Sequence, residues 1–528
     1  DAGIAIDNNY PVYVSGLNAN TYIKSNFTND DLVGITWAGY SVWVDFLNPA
    51  ATNFWESTLT EFHNLVDFDA LWLDMNEPSN FCDGECPDEM TYHYYYFPLD
   101  YYDDLYYNPT HRPLEARTIS MEAIHYGDPK LATEFNYHSM YGFYQSRLTS
   151  NFFYSKLHKR SFIISSATFP GSGRYAAHWL GDNYSTWTDM EYSIAGMIHF
   201  GMFGIPFVGA NICGYSGNAT DRLCARWMQL GAFYPFMRNH NSPGGSPQEP
   251  YENETLKIAS KNAILMRYSL VRYIYTEYMH TVLRGGTLIK PLIFLFPDDN
   301  DTYSTVDTSF MLGPALRVTP ILEDTVDTVE SYFPNADWYA LTPPSYEKVL
   351  SFNTTGQKGK KIALTCGLTG KSYNVHIREG TIVPTQDTYE GMMSVLKLHE
   401  LPINLVVAPD HLQRGHGELL YDTEDHMSFR TDHQDIEMHL FDAQITFNLT
   451  SGRDNTGYNK TDRFVDKIII LGAEKFAETR TAKYQNKDGQ EIAMKAPVFD
   501  KERKILTLQA VDTKSMDVLK LKKVYWST

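Results

Sequence analysis

Two aspartates stand where chemistry could be done. Asp74 ends the apolar run Asp69-Ala70-Leu71-Trp72-Leu73, and Asp182 ends His178-Trp179-Leu180-Gly181. Each run reads as a short buried strand closing on a carboxylate, and Pro78 stops the first from continuing. Side chains alternate along a strand, so Trp72 and Asp74 should point the same way. A strand-end carboxylate beside an aromatic wall is where α/β barrels place catalysis. The plainer alternative is that Asp74 caps the following helix. Two carboxylates on one rim could cleave a glycosidic bond: one attacks or stabilises the anomeric carbon, the other protonates the leaving oxygen. Arg174, Arg238 and His240 are expected at the same rim, where they could bind hydroxyls and shift the carboxylates' pKa values. Arg238 could equally be a buried ion-pair partner. An aldolase or an amidohydrolase would also gather Asp, His and Arg there. The amidohydrolase metal set, His-x-His or a His/Asp cluster, is not found, and Cys213-Gly214-Tyr215-Ser216-Gly217 is weak as a phosphate loop.

The elements that must position these groups alternate. Helical spacing over 53–65 places Phe54, Trp55, Leu59, Phe62 and Leu65 on one face and leads into the Asp74 strand. Helices are predicted over 137–157, 190–202, 222–230 and 258–283, and strands over 160–166, 178–183, 205–211 and 232–241. Residues 1–50 read as loop-rich, and 80–115 as an irregular Tyr-, Asp- and Pro-rich excursion. Alternating helices and strands with polar strand ends are the pattern of a parallel α/β barrel. Five strand-to-polar junctions, at 74, 166, 182, 211 and 240, fall short of eight, so sequence upstream of Asp1 is expected. After 286, short β-like runs separated by Pro, Gly, Asn and Asp suggest two β-sandwiches that divide near Pro384. The expected fold is therefore a (β/α)8 TIM barrel lacking its amino-terminal part (1–285), a proximal β-sandwich (286–385) and a distal β-sandwich (386–528).

Composition narrows the partners. A net charge of −20 argues against nucleic acid or an anionic membrane, and no apolar run approaches the length of a membrane span. Asn-x-Ser/Thr sequons at Asn26, Asn183, Asn218, Asn253, Asn300, Asn353, Asn448 and Asn459 lean toward the secretory pathway. Asn183 abuts Asp182, where a glycan would block a pocket, so it is expected to be bare. Cys82 with Cys86 and Cys213 with Cys224 make sense as small loop staples, leaving Cys366 as a buried thiol. No His stands at zinc spacing beside these cysteines, and neither a metal nor a cofactor is expected.

Trp72-Leu73-Asp74-Met75-Asn76-Glu77-Pro78-Ser79-Asn80-Phe81 closely resembles the signature of family 31 of the glycoside hydrolases. Gly173-Arg174-Tyr175, His178 to Asn183, Cys213-Gly214-Tyr215 and Gln229 to Asn241 follow in family order. Tyr332-Phe333-Pro334 and Val375 to Gly380 resemble the family's proximal β-domain. The resemblance is strongest to the branch of lysosomal acid α-glucosidase, maltase-glucoamylase and sucrase-isomaltase. It implies a retaining, exo-acting α-glucosidase, with Asp74 as nucleophile and Asp182 as general acid/base. Arg174 and His240 would hold hydroxyls of the terminal glucose, and Trp37, Trp72, Met75, Trp179 and Tyr215 would wall the pocket. Arg174 would keep Asp74 ionised, and an aromatic setting beside that anion would keep Asp182 protonated. Retention implies carboxyl groups about 5–5.5 Å apart. Two positions depart from the family: Asn211, still counted as substrate-binding, stands for an Asp of the glucose subsite, and Ser166 stands for an Arg. By the same resemblance the chain starts near the end of the third barrel strand. An amino-terminal fragment of the same precursor is then the expected partner, and 1–528 should not fold alone. The expected location is lysosomal or extracellular.

Overall fold

The computed structural model describes residues 2–86, 114–128, 130–355, 358–370, 373–389, 391, 394–422, 427–451 and 463–528. Most of the excursion expected over 80–115, and the sequon Asn459, lie outside them. The chain divides into two compact units, Asp1–Trp179 with Asp425–Met427, and Leu180–Glu424 with Ser428–Thr528.

The first unit holds three parallel strands, Leu71–Leu73, Ile163–Ser165 and Ala177–Trp179, in register Leu73↔Ser165 and Ser165↔His178. The helix Pro49–Leu65 precedes the first of them. It starts on Pro49, with the Asn48 side chain accepting from the Ala50 amide, as expected for an N-cap followed by Pro at N1. Its buried Phe54 and Leu59 lie on the face anticipated from spacing, whereas Phe62 and Leu65, expected on the same face, are exposed at the helix's last turn. Residues 1–50 are more ordered than their composition suggests. A helix Pro11–Asn18 and an antiparallel sheet of Gly3–Ala5, Gly39–Trp43 and Gly34–Thr36 surround the fully buried Trp43. Gly16 permits this helix to approach closely, since a Cβ there would lie 2.2 Å from the Tyr22 hydroxyl. A buried His125 bridges Asp45 (2.9 Å) and Glu134 (2.6 Å) and ties residues 118–134 to the sheet region. The helix expected over 137–157 is segmented: Glu134–Tyr137, a 3₁₀ turn, Tyr141–Phe152 and a wide turn ending at His158 in the left-handed region.

In the second unit, short strands Val208–Gly209, Asn211–Ile212 and Arg238–Asn239 alternate with helices Trp187–Met202, Asp221–Gly231 and Glu254–Arg284. The last two strands pair in parallel, Asn211↔Arg238 and Ile212↔Asn239. The strand expected over 232–241 is reduced to Arg238–Asn239. Pro235 has no N–H to give a ladder. The Arg267 guanidinium instead takes the carbonyls of Ala232 (2.8 Å), Tyr234 (2.6 Å) and Pro235 (3.0 Å). A six-stranded sheet follows from Ile289, then an eleven-stranded sheet that includes Thr381–Thr385 and runs to Leu521–Ser527. The first strand of the six-stranded sheet is only Ile289–Lys290, because Pro291 opens a 3₁₀ turn.

Candidate active site

Asp74 follows the strand Leu71–Leu73, half-buried, after a buried Leu73 and a Trp72 that is 43% exposed. The expected alternation therefore holds. The turn beyond it is tightly determined. Met75 is in the left-handed region (φ 58°), which disfavours a residue with a Cβ by about 1–2 kcal/mol. Such strain persists only where the surroundings over-determine it. Asn76 supplies that determination. It is fully buried, its Nδ2 donates to Ser165 Oγ (3.0 Å), and its Oδ1 accepts from the Ala167 amide (2.8 Å). Ser165 Oγ in turn donates to the Ala167 carbonyl (2.7 Å). His178 Nδ1 lies 3.0 Å from the Ser165 carbonyl, and burial lowers its pKa to about 4, so this imidazole is a neutral strut. Glu77 accepts from Ser79 Oγ (2.8 Å) and Ser166 Oγ (2.9 Å). Ser166, where the family pattern carries Arg, thus holds the turn after the strand.

The aromatic residues of this unit fall into two sets. Trp72 meets Trp179 edge-to-face with ring centroids 5.3 Å apart, and Trp179 is 4% exposed. Trp37 is 80% exposed and stands against Phe81 (4.9 Å, perpendicular). Asn80, nearly buried, fixes that corner: its Oδ1 accepts from the Ile35 amide (2.9 Å) and its Nδ2 donates to the Gly84 carbonyl (2.9 Å). The Cys82–Cys86 disulfide closes the same loop. Arg174 is exposed at the end of the 3₁₀ turn Ser172–Arg174, its guanidinium 5.9 Å from the Tyr175 ring.

In the second unit Asp182 is exposed on the loop after Gly181 (φ 86°), not at the end of a strand as its sequence suggests, because the strand expected over 178–183 closes at Trp179. The next residue anchors it. The Asn183 carbonyl accepts from the amides of Tyr215 and Ser216 (both 2.9 Å), and its side-chain Nδ2 donates to the Asn211 carbonyl (3.0 Å). A sequon asparagine whose amide is used inside the fold has its glycan-bearing nitrogen engaged. Asn211 is fully buried, donates to the Gly181 carbonyl (3.2 Å) and accepts from Arg238 Nη2 (2.7 Å). Both ends of its amide are therefore engaged with protein, one on the residue before Asp182. The His240 ring stacks on Tyr215 with centroids 4.9 Å apart. Burial, then the positive charge of Arg238, lowers the His240 pKa and favours a neutral imidazole. Gln248 braces this strand end by donating to Asn239 Oδ1 and to the His240 carbonyl (both 3.1 Å). The Cys213–Cys224 disulfide ties the Tyr215 loop to the helix Asp221–Gly231, and Cys366 is a buried free thiol.

Asn76, Ser165, Gln248 and Arg267 were not singled out from sequence. For Asn76 and Ser165 the available signal is their place at a strand end, whereas Arg267 stands within the helix Glu254–Arg284, where nothing local marks it. Among the sequons, Asn26, Asn218, Asn300 and Asn448 are exposed and Asn353 is half-buried. Asn253 caps the long helix by accepting from the Leu256 amide (2.8 Å), with its own Nδ2 enclosed.

The glycosyl hydrolases family 31 TIM-barrel domain matches residues 1–277, and the family 31 C-terminal domain matches 285–383. Lysosomal alpha-glucosidase of Rattus norvegicus is 38% identical over 427 residues, covering 78% of this chain and 43% of that protein. Intestinal sucrase-isomaltase of Rattus norvegicus is 33% identical over 518 residues, covering 95% of this chain and 26% of that protein. The chain thus spans less than half the length of these relatives. The crystal structure of the glucosidase II alpha subunit in its Tris-bound form superposes on the whole chain with a TM-score of 0.84 at 24% identity, covering 53% of that chain, which shows the fold. With a strand-end aspartate in the expected turn and a family model matched across more than half its length, this chain belongs to glycosyl hydrolase family 31 and combines a TIM-barrel domain with β-sandwich regions.

Proposed function

We propose that this chain carries the catalytic machinery of a retaining, exo-acting α-glucosidase that releases glucose from the non-reducing end of maltose-like, starch- or glycogen-derived α-glucans. The observation that carries the reading is Asp74 itself: a strand-end carboxylate on a backbone locked by Asn76 and Met75, beside the exposed face of Trp72. In the first step the Asp74 carboxylate attacks the anomeric carbon while Asp182 gives its proton to the leaving oxygen. In the second, Asp182 takes a proton from water, which attacks the glycosyl ester and frees Asp74. Arg174 and His240 bind glucose hydroxyls, and Trp37, Trp72, Met75, Trp179 and Tyr215 surround the ring. The low pKa of His240 suits a neutral hydrogen-bonding partner for a sugar.

The alpha-glucosidase names of the relatives support the substrate class. Exposed sequons, two disulfides and the lysosomal relatives support a lysosomal or secreted location. Among the described residues no helix is long and apolar enough to cross a membrane. An amino-terminal fragment as partner belongs to the same proposal, supported by the greater length of the relatives. A second reading, a weakened glucan-binding glycoprotein, is favoured by one observation: the amide of Asn211 is engaged at both ends where the family resemblance expects a carboxylate. The test is hydrolysis of maltose and a chromogenic α-glucoside at pH 4–7 by the protein with its partner fragment. The expected outcome is turnover with α-glucose as first product, abolished in Asp74→Asn. Binding without turnover would leave the second reading.

A further inference from the structure

His416, Glu437 and His439 lie on the solvent-facing side of the eleven-stranded sheet. His416 is on the strand Arg414–Asp422, and the other two are on the antiparallel strand His433–Phe441. The register sets His416 opposite His439 and Glu418 opposite Glu437. Cross-strand partners share a face, so the four side chains form a two-by-two patch. The imidazole rings of His416 and His439 are 4.9 Å apart, and His439 Nε2 is 3.3 Å from Glu437 Oε2. One ligand atom from each of His416, Glu437 and His439 lies within 4.8 Å of the other two.

Three further observations separate this cluster from a chance surface grouping. The backbone is fixed: the His416 amide donates to the Gly380 carbonyl (2.9 Å), and a Cβ on the neighbouring Gly417 would lie 2.1 Å from the Ile382 carbonyl oxygen. The adjoining cations are already committed. Glu418 receives His280 Nδ1 (3.1 Å) and Arg284 Nη1 (2.7 Å), both of which also hold Asp435. Arg414, next along the face, is turned to Asp410 (3.0 Å). Finally, the register sets two carboxylates, Glu437 and Glu418, directly opposite each other, and like groups so placed disfavour a sheet. A cation beside Glu437 removes that repulsion.

We infer that His416, His439 and Glu437 form a site for a divalent transition metal, Zn²⁺ by donor chemistry, clipping two strands of the distal sheet. Two imidazoles and one carboxylate suit zinc, with bonds of about 2.0–2.2 Å and a fourth position left to water. Tetrahedral ligands stand about 3.4 Å apart, so the three donors close by small side-chain rotations, which their partial exposure permits. The site is remote in sequence from Asp74 and Asp182, and its metal is structural.

The test uses the whole purified glycoprotein, stripped with a chelator and then titrated with Zn²⁺ and, as a spectroscopic probe, Co²⁺. One equivalent of Zn²⁺ is expected to bind and to raise the melting temperature. Co²⁺ is expected to give the visible absorption of a low-coordinate nitrogen/oxygen site. His416→Ala and His439→Ala should each weaken Zn²⁺ binding by more than about tenfold and remove the melting shift. Turnover of the chromogenic α-glucoside should be unchanged. Uptake of no metal, or of the same equivalent by the His416→Ala/His439→Ala protein, overturns the assignment. Circular dichroism identical to wild type establishes that the variants are folded.

Discussion

Asn76→Ala probes whether the turn after Asp74 is held by the buried amide two residues on. Asn76 is 0% exposed and makes two hydrogen bonds that the substitution removes. Loss of the bond to Ser165 Oγ costs about 0.5–1.5 kcal/mol, since the hydroxyl still has the Ala167 carbonyl as partner. The Ala167 amide is left without its acceptor, which costs about 1–3 kcal/mol more. Together they amount to about 1.5–4.5 kcal/mol concentrated on the segment 74–78 and the strand end at Ser165–Ala167. Local opening there should rise by about tenfold or more, at about 1.4 kcal/mol per factor of ten. Hydrogen exchange read by mass spectrometry on a peptide spanning 163–168 measures it directly. Met75, held at φ 58°, would be free to relax and carry Asp74 with it. A displacement near 1 Å costs about 100-fold in rate, so kcat should fall by one to two orders of magnitude with KM changed less. Asn76→Ala protein that exchanges at the wild-type rate over 163–168, or turns over within twofold of wild type, would refute the reasoning.

The pH dependence of stability has a definite sign. Burial pulls the His280 imidazole down, but hydrogen bonds to Asp435 and Glu418 outweigh it and raise the pKa to about 9. Its contribution is full below pH 6.5, the ordinary value, and is lost as pH rises through 9. Burial pushes Glu418 up, but His280 and Arg284 bring it to about 2, so its contribution is full above pH 4.5 and lost as pH falls toward 2. Burial raises Glu277 to about 7, which penalises its ionisation above pH 4.5 and again favours mild acid. Maximum stability of this cluster is expected between about pH 4.5 and 6.5, and His280→Gln should flatten the alkaline side of a melting-temperature profile. Peptide mapping of the protein expressed through a secretory pathway should find Asn218 occupied and Asn183 bare, because Asn183 Nδ2 is engaged with the Asn211 carbonyl; a glycan at Asn183 would contradict that bond.

The sequence by itself located the candidate carriers of chemistry and, for Asp74, the kind of element beneath it. The apolar run ending in Asp74 is legible because burial and alternation act over a few residues, whereas the strand expected over 178–183 closes at Trp179 and leaves Asp182 on a loop. The helix faces at 54 and 59 and the two loop disulfides are local in the same sense. The lengths of the strands were not legible. Whether 232–237 is strand or turn depends on Arg267, some thirty residues away, taking three carbonyls. The helix and sheet within 1–50 depend on long-range packing around Trp43 rather than on strong local periodicity. The roles of polar residues were decided by tertiary structure above all. Asn76, Asn183 and Asn211 are alike in composition, and only partners 27 to 91 positions distant make them a turn lock, a loop anchor and a brace. His416 and His439, over twenty residues apart, become neighbours solely through strand register. Hydrophobic pattern is written along the chain, whereas hydrogen bonds and metal ligation need donors and acceptors within about 3 Å, a condition that only the folded chain sets.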